Sequence, residues 1–411
     1  LSEGVVTLLP PPMTPLRRQF FLSYAVIGSV MPLMTVFLRE QGGFDFWQIG
    51  LAMSLMSVPM LCSPALITLL ADRNLDARRI LAIAYSCSAI VLSALYFSES
   101  IALTLTLFFF HGLSFVAMLP LQDGYYFSLA GEARKKGDPV ATYPLVRVWG
   151  TVGFILPSLI LFFPLSKGAG AGSILPCAVG FCLLSLANSF TLQRIERPAN
   201  LLKKLPTTAA LKAIFKPEAR WLSIGLFFGF MAASTYYAFI GNFLDEIVGI
   251  PKKHIGLIIN LGVVLEIGFT LIMPWMQRLI HLKGIMVIGL FAMLARMILL
   301  ATFPHPWVAV VVQLCHGMEV LALYVGPVMF LDRLATDEFR NSIQGVFTMA
   351  IGGGARVIGA IAAGLVVARF GLEGGLYYGA VLATIAFLII TFLFSRIPPR
   401  SEIGVSSEAS S

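Results

Sequence analysis

The chain has 411 residues, 58% of them hydrophobic and only 12% charged. A soluble domain carries about 25% charged residues, so a water-facing surface of ordinary composition is excluded. The net charge of +8 sits in short loops between apolar runs and not along one helix face, which argues against a nucleic-acid partner.

The apolar runs are about 20 residues long, enough to cross a hydrocarbon core of about 30 Å. In lipid each backbone amide must be satisfied within its own segment, so the runs are expected to be helices. The fold class expected is an all-α integral membrane protein. The first stretch is proline-rich from Pro10 to Pro15 and leads directly into a full span, so no cleavable signal peptide is expected. Twelve transmembrane helices are expected, at 20–38, 48–70, 80–97, 101–129, 144–165, 172–192, 221–244, 255–277, 285–303, 306–331, 341–368 and 375–395. They divide into an N-terminal six-helix bundle (1–192), a basic cytoplasmic linker (193–220), a C-terminal six-helix bundle (221–396) and a disordered tail (397–411).

Of 29 Lys and Arg, 21 lie in the N-terminal tail, the even-to-odd loops and the C-terminal tail, and five (Arg39, Lys167, Lys252, Lys253, Arg369) lie in the opposite loops. The positive-inside rule then puts both termini of the multi-pass chain in the cytoplasm. The five cysteines fall singly inside spans without CxxC spacing, so they read as small core residues, not disulfides or metal ligands.

The halves look like repeats of one unit. Ile49-Gly50-Leu51 opens the second span and Ile255-Gly256-Leu257 the eighth, 206 residues later. A duplicated six-helix unit of this kind is an architecture of alternating-access transporters.

Asp123, Arg147, Glu266, Arg296, His316, Glu319 and Arg356 fall inside apolar spans. Each charge at a helix centre costs about 2.5–3.5 kcal/mol on insertion scales, so the set is expected to face a wet cavity and to pair internally. His316 and Glu319 are three apart and share one face of the tenth helix, with Gln313 one step further along it. Imidazole changes charge near neutral pH. A Glu that meets Arg in one conformation and loses it in another binds and releases a proton as the protein switches. Arg356 follows Gly352-Gly353-Gly354 and is a candidate without a role, either a partner for Glu319 or a contact for an anionic substrate.

Over nearly its whole length the chain resembles the major facilitator superfamily. Leu69-Leu70-Ala71-Asp72-Arg73 followed by Arg78-Arg79 is similar to that superfamily's acidic–basic gating loop, without its central Gly and a residue or two longer. Val146-Arg147-Val148-Trp149-Gly150-Thr151, opening the fifth span, resembles the signature of the branch that holds the phenylpropionate permease and the nucleoside–proton symporters. Tyr236-Tyr237-Ala238-Phe239 and Asn260-Leu261-Gly262-Val263-Val264-Leu265-Glu266 resemble the phenylpropionate permease type, and lactose permease is a more distant relative. The resemblance implies a gating role for Asp72 and Arg73. It implies proton coupling at Glu319 with Arg296 as partner, and His316 at the junction of proton and substrate. It also implies substrate contacts from Asp123 and Arg147, with Glu266 contributing from the C-terminal half. Lactose permease has Lys where this chain has Gln313, so the local charge balance differs. Trp149, Phe154, Tyr236 and Tyr237 are expected to offer stacking surface for a ring.

The expected function is proton-coupled symport of a small organic solute, ranked as aromatic carboxylate such as 3-phenylpropionate, then nucleoside, then sugar. The protein is expected to work as a monomer without cofactor or metal. The alternative is a proton-driven exporter, against which the fifth span carries Gly150, Gly153 and Pro157 without an exporter's Gly-Pro pairing. An enzyme is not expected: no Ser–His, Asp–Asp or His-Glu-x-x-His constellation is present, and no phosphate-binding GxxxxGK[ST].

Overall fold

The computed structural model describes residues 13–40, 43–62, 76–116, 118–139, 141–194, 211–212, 214–217, 219–334 and 340–395. Among these, nine helices are long and apolar enough to cross a membrane. Two of them, Lys252–Thr302 and Ile343–Leu393, are 51 residues long. At 1.5 Å per residue each would measure roughly 75 Å, more than twice a hydrocarbon core. Each is two helices joined across a kink, at His281 (φ 57°) and at Gly371 (φ 76°). Gly371 accepts this left-handed backbone freely, whereas His281 carries a Cβ in a region that L residues rarely occupy. Two spans in each of the 51-residue helices, together with the shorter apolar helix Phe46–Cys62, bring the described spans to twelve.

In chain order these are α1 (Met13–Glu40), α2 (Phe46–Cys62), α3 (Ala77–Tyr96), α4 (Ile101–Lys136), α5 (Tyr143–Ser166), α6 (Ile174–Ser189), α7 (Arg220–Ile247), α8 (252–280), α9 (282–302), α10 (Pro306–Leu331), α11 (343–370) and α12 (372–393). Helix α1 starts seven residues earlier than its apolar run, because Arg17 and Arg18 end the run without breaking the helix. Helix α4 continues to Lys136 through a charged last turn, so it outlasts the apolar stretch that the sequence marks at 129. Asp45 starts α2 with a reciprocal cap: its carboxylate accepts from the Gln48 amide at 2.7 Å, and the Gln48 side chain accepts from the Asp45 amide at 3.0 Å.

The described chain groups into two compact units. The first holds residues 1–42, 65–203 and 252–257, and the second holds 43–64, 204–251 and 258–411. Chain order alone does not anticipate the two displaced pieces, 43–64 and 252–257. Each carries one of the repeated Ile-Gly-Leu words, and each of their glycines lies at a close approach. A Cβ on Gly50 would stand 2.6 Å from the Ala360 carbonyl and 2.7 Å from Gly364 Cα. A Cβ on Gly256 would stand 2.6 Å from Ser158 Oγ. Lys252 forms an ion pair with Glu40 in the same first unit.

Lipid tails are as apolar as leucine, so helices in a bilayer associate through packing and small residues. In the first unit, Gly28 of α1 lies against the Phe154 backbone, and Gly153 of α5 lies against the Phe21 backbone. A second bond of this unit is polar: Arg78, paired with Asp76 at 2.6 Å, donates to the Leu192 carbonyl at 3.2 Å and ties the start of α3 to the end of α6. Asp72 and Arg73 lie outside the described residues.

Candidate functional site

The second unit contains a buried polar cluster contributed by α7, α8, α9 and α10. Gln313, His316 and Glu319 recur every three residues on α10, where a tight turn over Val312–Cys315 aligns side chains three apart. Opposite them α9 presents Arg296, which is 1% exposed, as is Glu319. Arg296 Nη1 donates to Glu319 Oε2 at 3.0 Å. Its Nη2 donates to the Tyr236 hydroxyl at 2.5 Å and to Gln313 Oε1 at 3.0 Å. The guanidinium also lies over the Tyr236 ring, 3.8 Å from its centroid.

Glu319 uses its other oxygen as well, since the Tyr237 hydroxyl donates to Oε1 at 3.0 Å. That hydroxyl lies 3.3 Å from His316 Nδ1, and His316 Nε2 faces Glu266 Oε2 at 3.5 Å. The contacts thus run from the sealed Arg296–Glu319 pair to Glu266, whose side chain is 30% exposed. Helices α8 and α10 come this close through two glycines. A Cβ on Gly262 would lie 2.9 Å from His316 Cβ, and one on Gly317 would lie 3.1 Å from Glu266 Cα. The Asn260–Glu266 word therefore has a steric role: its glycine makes room for the histidine that its glutamate meets.

The first unit has a separate, half-buried group. Tyr143 of α5 donates to Asp123 Oδ1 of α4 at 2.7 Å. Arg147, one turn beyond Tyr143, hydrogen-bonds the Tyr24 hydroxyl of α1 and stands 4.2 Å from that ring's centroid and 5.8 Å from Phe20's. Asp123 and Arg147 are thus each held by a tyrosine and make no direct ion pair, unlike the mutual pairing the sequence leads one to expect. Gly150 leaves the space this needs, because a Cβ there would lie 2.9 Å from Arg147 Nη1 and 2.8 Å from the Tyr24 ring.

The aromatic residues depart from their expected role as a shared stacking surface. Trp149 is 42% exposed and belongs to an apolar stripe with Leu145, Val152, Leu159 and Phe163, on the side of α5 away from Arg147. Two residues are about 200° apart on a helix, so Arg147 and Trp149 cannot serve one ligand from the same face. Phe154 is buried, with its backbone against Gly28. Tyr236 is 1% exposed and has its hydroxyl and ring occupied by Arg296, which leaves Tyr237, half-buried, as the aromatic with an open side. Arg356 is not near Glu319's oxygens: its Nη2 donates to Tyr324 at 2.9 Å.

A third polar network carries no charge that would mark it in the sequence. Gln122 Nε2 donates to Ser23 Oγ at 2.6 Å and to the Tyr85 hydroxyl at 2.9 Å, and Ser23 and Tyr85 also bond each other. Asn188 Nδ2 donates to Gln19 Oε1 at 2.7 Å. Ser23, Gln19, Gln122 and Tyr85 are all 0% exposed. The signal available was the presence of amides in otherwise apolar runs, which carry no charge and so draw less notice. Among the described residues no group of three or more His, Cys, Asp or Glu is placed to hold a metal.

Residues 13–374 match the model of the family described as MFS_1 like. The chain is 23% identical to a xanthosine permease of Escherichia coli K12, over 92% of this chain and 94% of that one. It is 23% identical to the nucleoside permease NupG of the same strain, over 86% of this chain and 87% of that one. The crystal structure of the nucleoside transporter NupG superposes with a TM-score of 0.78 at 20% identity, covering 93% of this chain and 98% of that one.

Proposed function

The chain belongs to the MFS_1 like family, a family match that spans residues 13–374, and on that premise we propose that it imports nucleosides in symport with protons. It is a secondary transporter with a small-molecule substrate and not an enzyme; its relatives are permeases. Those relatives move nucleosides ahead of aromatic carboxylates in the order expected from the sequence. The charge asymmetry between loops, 21 against five, supports an inner-membrane location with both termini in the cytoplasm.

The observation that carries the proton reading is the series of contacts Glu266–His316–Tyr237–Glu319–Arg296. Its open end can take a proton from water and its closed end is a carboxylate held by a guanidinium. A proton reaching Glu319 removes the charge that Arg296 Nη1 bonds. Arg296 keeps Tyr236 and Gln313 as acceptors on Nη2, so neutralising the carboxylate does not strip the buried cation of every partner. The proton thereby changes one bond of a network that stays otherwise intact. Substrate contacts in this reading come from Tyr237, His316 and Glu266 within the second unit, and Asp123 and Arg147 are a separate candidate group within the first.

The test is uptake of labelled nucleosides into proteoliposomes, with and without an inward proton gradient, for wild type and Glu319→Gln. Gradient-driven accumulation that is lost in the variant, while exchange between internal and external nucleoside survives, is the expected result. Accumulation against a gradient by Glu319→Gln would remove Glu319 as the coupling site.

A further inference from the structure

Arg356 lies near the midpoint of α11, where an arginine costs about 2.5–3.5 kcal/mol to insert unless a countercharge or water meets it. Among the described residues no carboxylate does. Nη2 donates to the Tyr324 hydroxyl at 2.9 Å, Nη1 stands 3.2 Å from Met60 Sδ, and the guanidinium carbon is 5.7 Å from the ring centroids of Phe230 and Tyr324. A hydroxyl, a thioether and two ring faces orient a cation without neutralising it. The side chain is only half-buried, so the guanidinium retains an approach. Of its five N–H donors, most have no acceptor among the described residues.

The surroundings are shaped like a site. Phe230 and Tyr324 meet edge to face at 5.4 Å and form an aromatic wall beside the cation. Two wide helical turns flank it, Leu321–Val325, which carries Tyr324, and Thr348–Gly353, which leads into Arg356. Such turns cost hydrogen-bond geometry and concentrate at functional sites.

We propose that Arg356, with the Tyr324 hydroxyl, is an anion subsite, and that the preferred substrate is a planar organic anion. For a nucleoside that means one whose base is ionised at neutral pH, as in xanthosine, because a guanidinium fork matches the oxygen–carbon–nitrogen edge of such a base as it matches a carboxylate. The inference rests on the transporter reading and adds the charge class of the substrate.

The experiment is equilibrium exchange in proteoliposomes at pH 7 on both sides, which needs no gradient. It uses two matched pairs: xanthosine with neutral inosine, and 3-phenylpropionate with neutral 3-phenylpropionamide. Arg356→Gln is expected to raise the half-saturation concentration for xanthosine about 10- to 100-fold, the worth of one charge-assisted hydrogen bond, and that for inosine less than about threefold. Inosine exchange by the variant also reports that it is folded. If both activities vanish, Arg356→Lys decides, since it keeps the charge and loses the fork. A weakened preference for xanthosine over inosine supports the subsite, and an unchanged ratio overturns it. Equal shifts for anion and neutral partner overturn it too. Exchange of phenylpropionate alone, dependent on Arg356, removes the nucleoside reading and leaves the subsite standing. Exchange of inosine without xanthosine does the reverse, and exchange of no compound removes both.

Discussion

Arg296 and Glu319 meet through Nη1 and Oε2 at 3.0 Å, with 1% and 2% of their side chains exposed. They lie 23 residues apart on neighbouring helices, so each is the other's countercharge in a setting with little water. Removing one partner of such a pair leaves an uncompensated buried charge, at a cost of about 3–5 kcal/mol. Arg296→Ala and Glu319→Ala are each expected to lower the melting temperature in detergent substantially. The double variant should recover part of the loss. Strict additivity of the two single effects would show that the pair does not hold the second unit together.

Trp149 provides a contrast. It sits on the exposed apolar stripe of α5, on the face away from Arg147. Trp149→Leu is therefore expected to leave the half-saturation concentration for substrate within about twofold of wild type, because the replacement remains apolar and fully compatible with an acyl-chain environment. Arg147→Gln should weaken transport by about tenfold or more, the loss of one charge-assisted bond. A Trp149 variant with the larger defect would place that face of α5 against substrate.

Two glycines separate packing from propensity. A side chain on Gly153 would run into the Phe21 backbone, whereas one on Gly180 meets nothing within 4 Å. Gly153→Ala is expected to destabilise by about 1–3 kcal/mol, the usual cost of forcing atoms into a filled interface. Gly180→Ala should be neutral or stabilising by up to about 1 kcal/mol, from helix propensity alone. Melting curves of the two purified variants check both signs, and a stable Gly153→Ala protein would contradict the tight crossing of α1 and α5.

Tyr85→Phe probes the network that bears no charge. It removes the hydroxyl that bonds Ser23 and accepts from Gln122 at 2.9 Å. Gln122 keeps Ser23 as its acceptor at 2.6 Å, so the expected cost is about 1 kcal/mol, well short of the penalty for an orphaned buried amide. Tyr85→Phe combined with Ser23→Ala strands Gln122 and should cost about 1–3 kcal/mol more. Equal stability of the single and double variants would mean that the network is held by something other than these two hydroxyls.

Much of this molecule is legible from spacing and charge. The apolar runs give the spans because lipid requires each segment to satisfy its own backbone, and the Gln313–His316–Glu319 interval gives one face of α10 because helix geometry is periodic. Arg296 as the partner of Glu319, by contrast, comes from a resemblance, and no local pattern reveals it, since the two meet across helices. The sequence is silent on which way Trp149 points, because a tryptophan suits a ring-binding wall and a lipid face equally well. It also misses Tyr143 and Tyr24, the hydrogen-bond partners of Asp123 and Arg147. Those positions are set by how closely α1 and α5 approach, and that distance is decided by glycines whose importance appears only once a partner helix is present.

The crossing of α1 and α5 offers a practical landmark. With Gly28 on the Phe154 backbone and Gly153 on the Phe21 backbone, the two helices touch main chain to main chain at two points, about two turns apart on α1 and at adjacent residues of α5. Sliding or rotating one past the other would collide backbone with backbone, so a transport cycle must carry them as one rod. Spin labels or fluorophores on the outer faces of these two helices should then report a constant separation in every liganded state. That separation gives distance measurements on the rest of the protein a fixed origin.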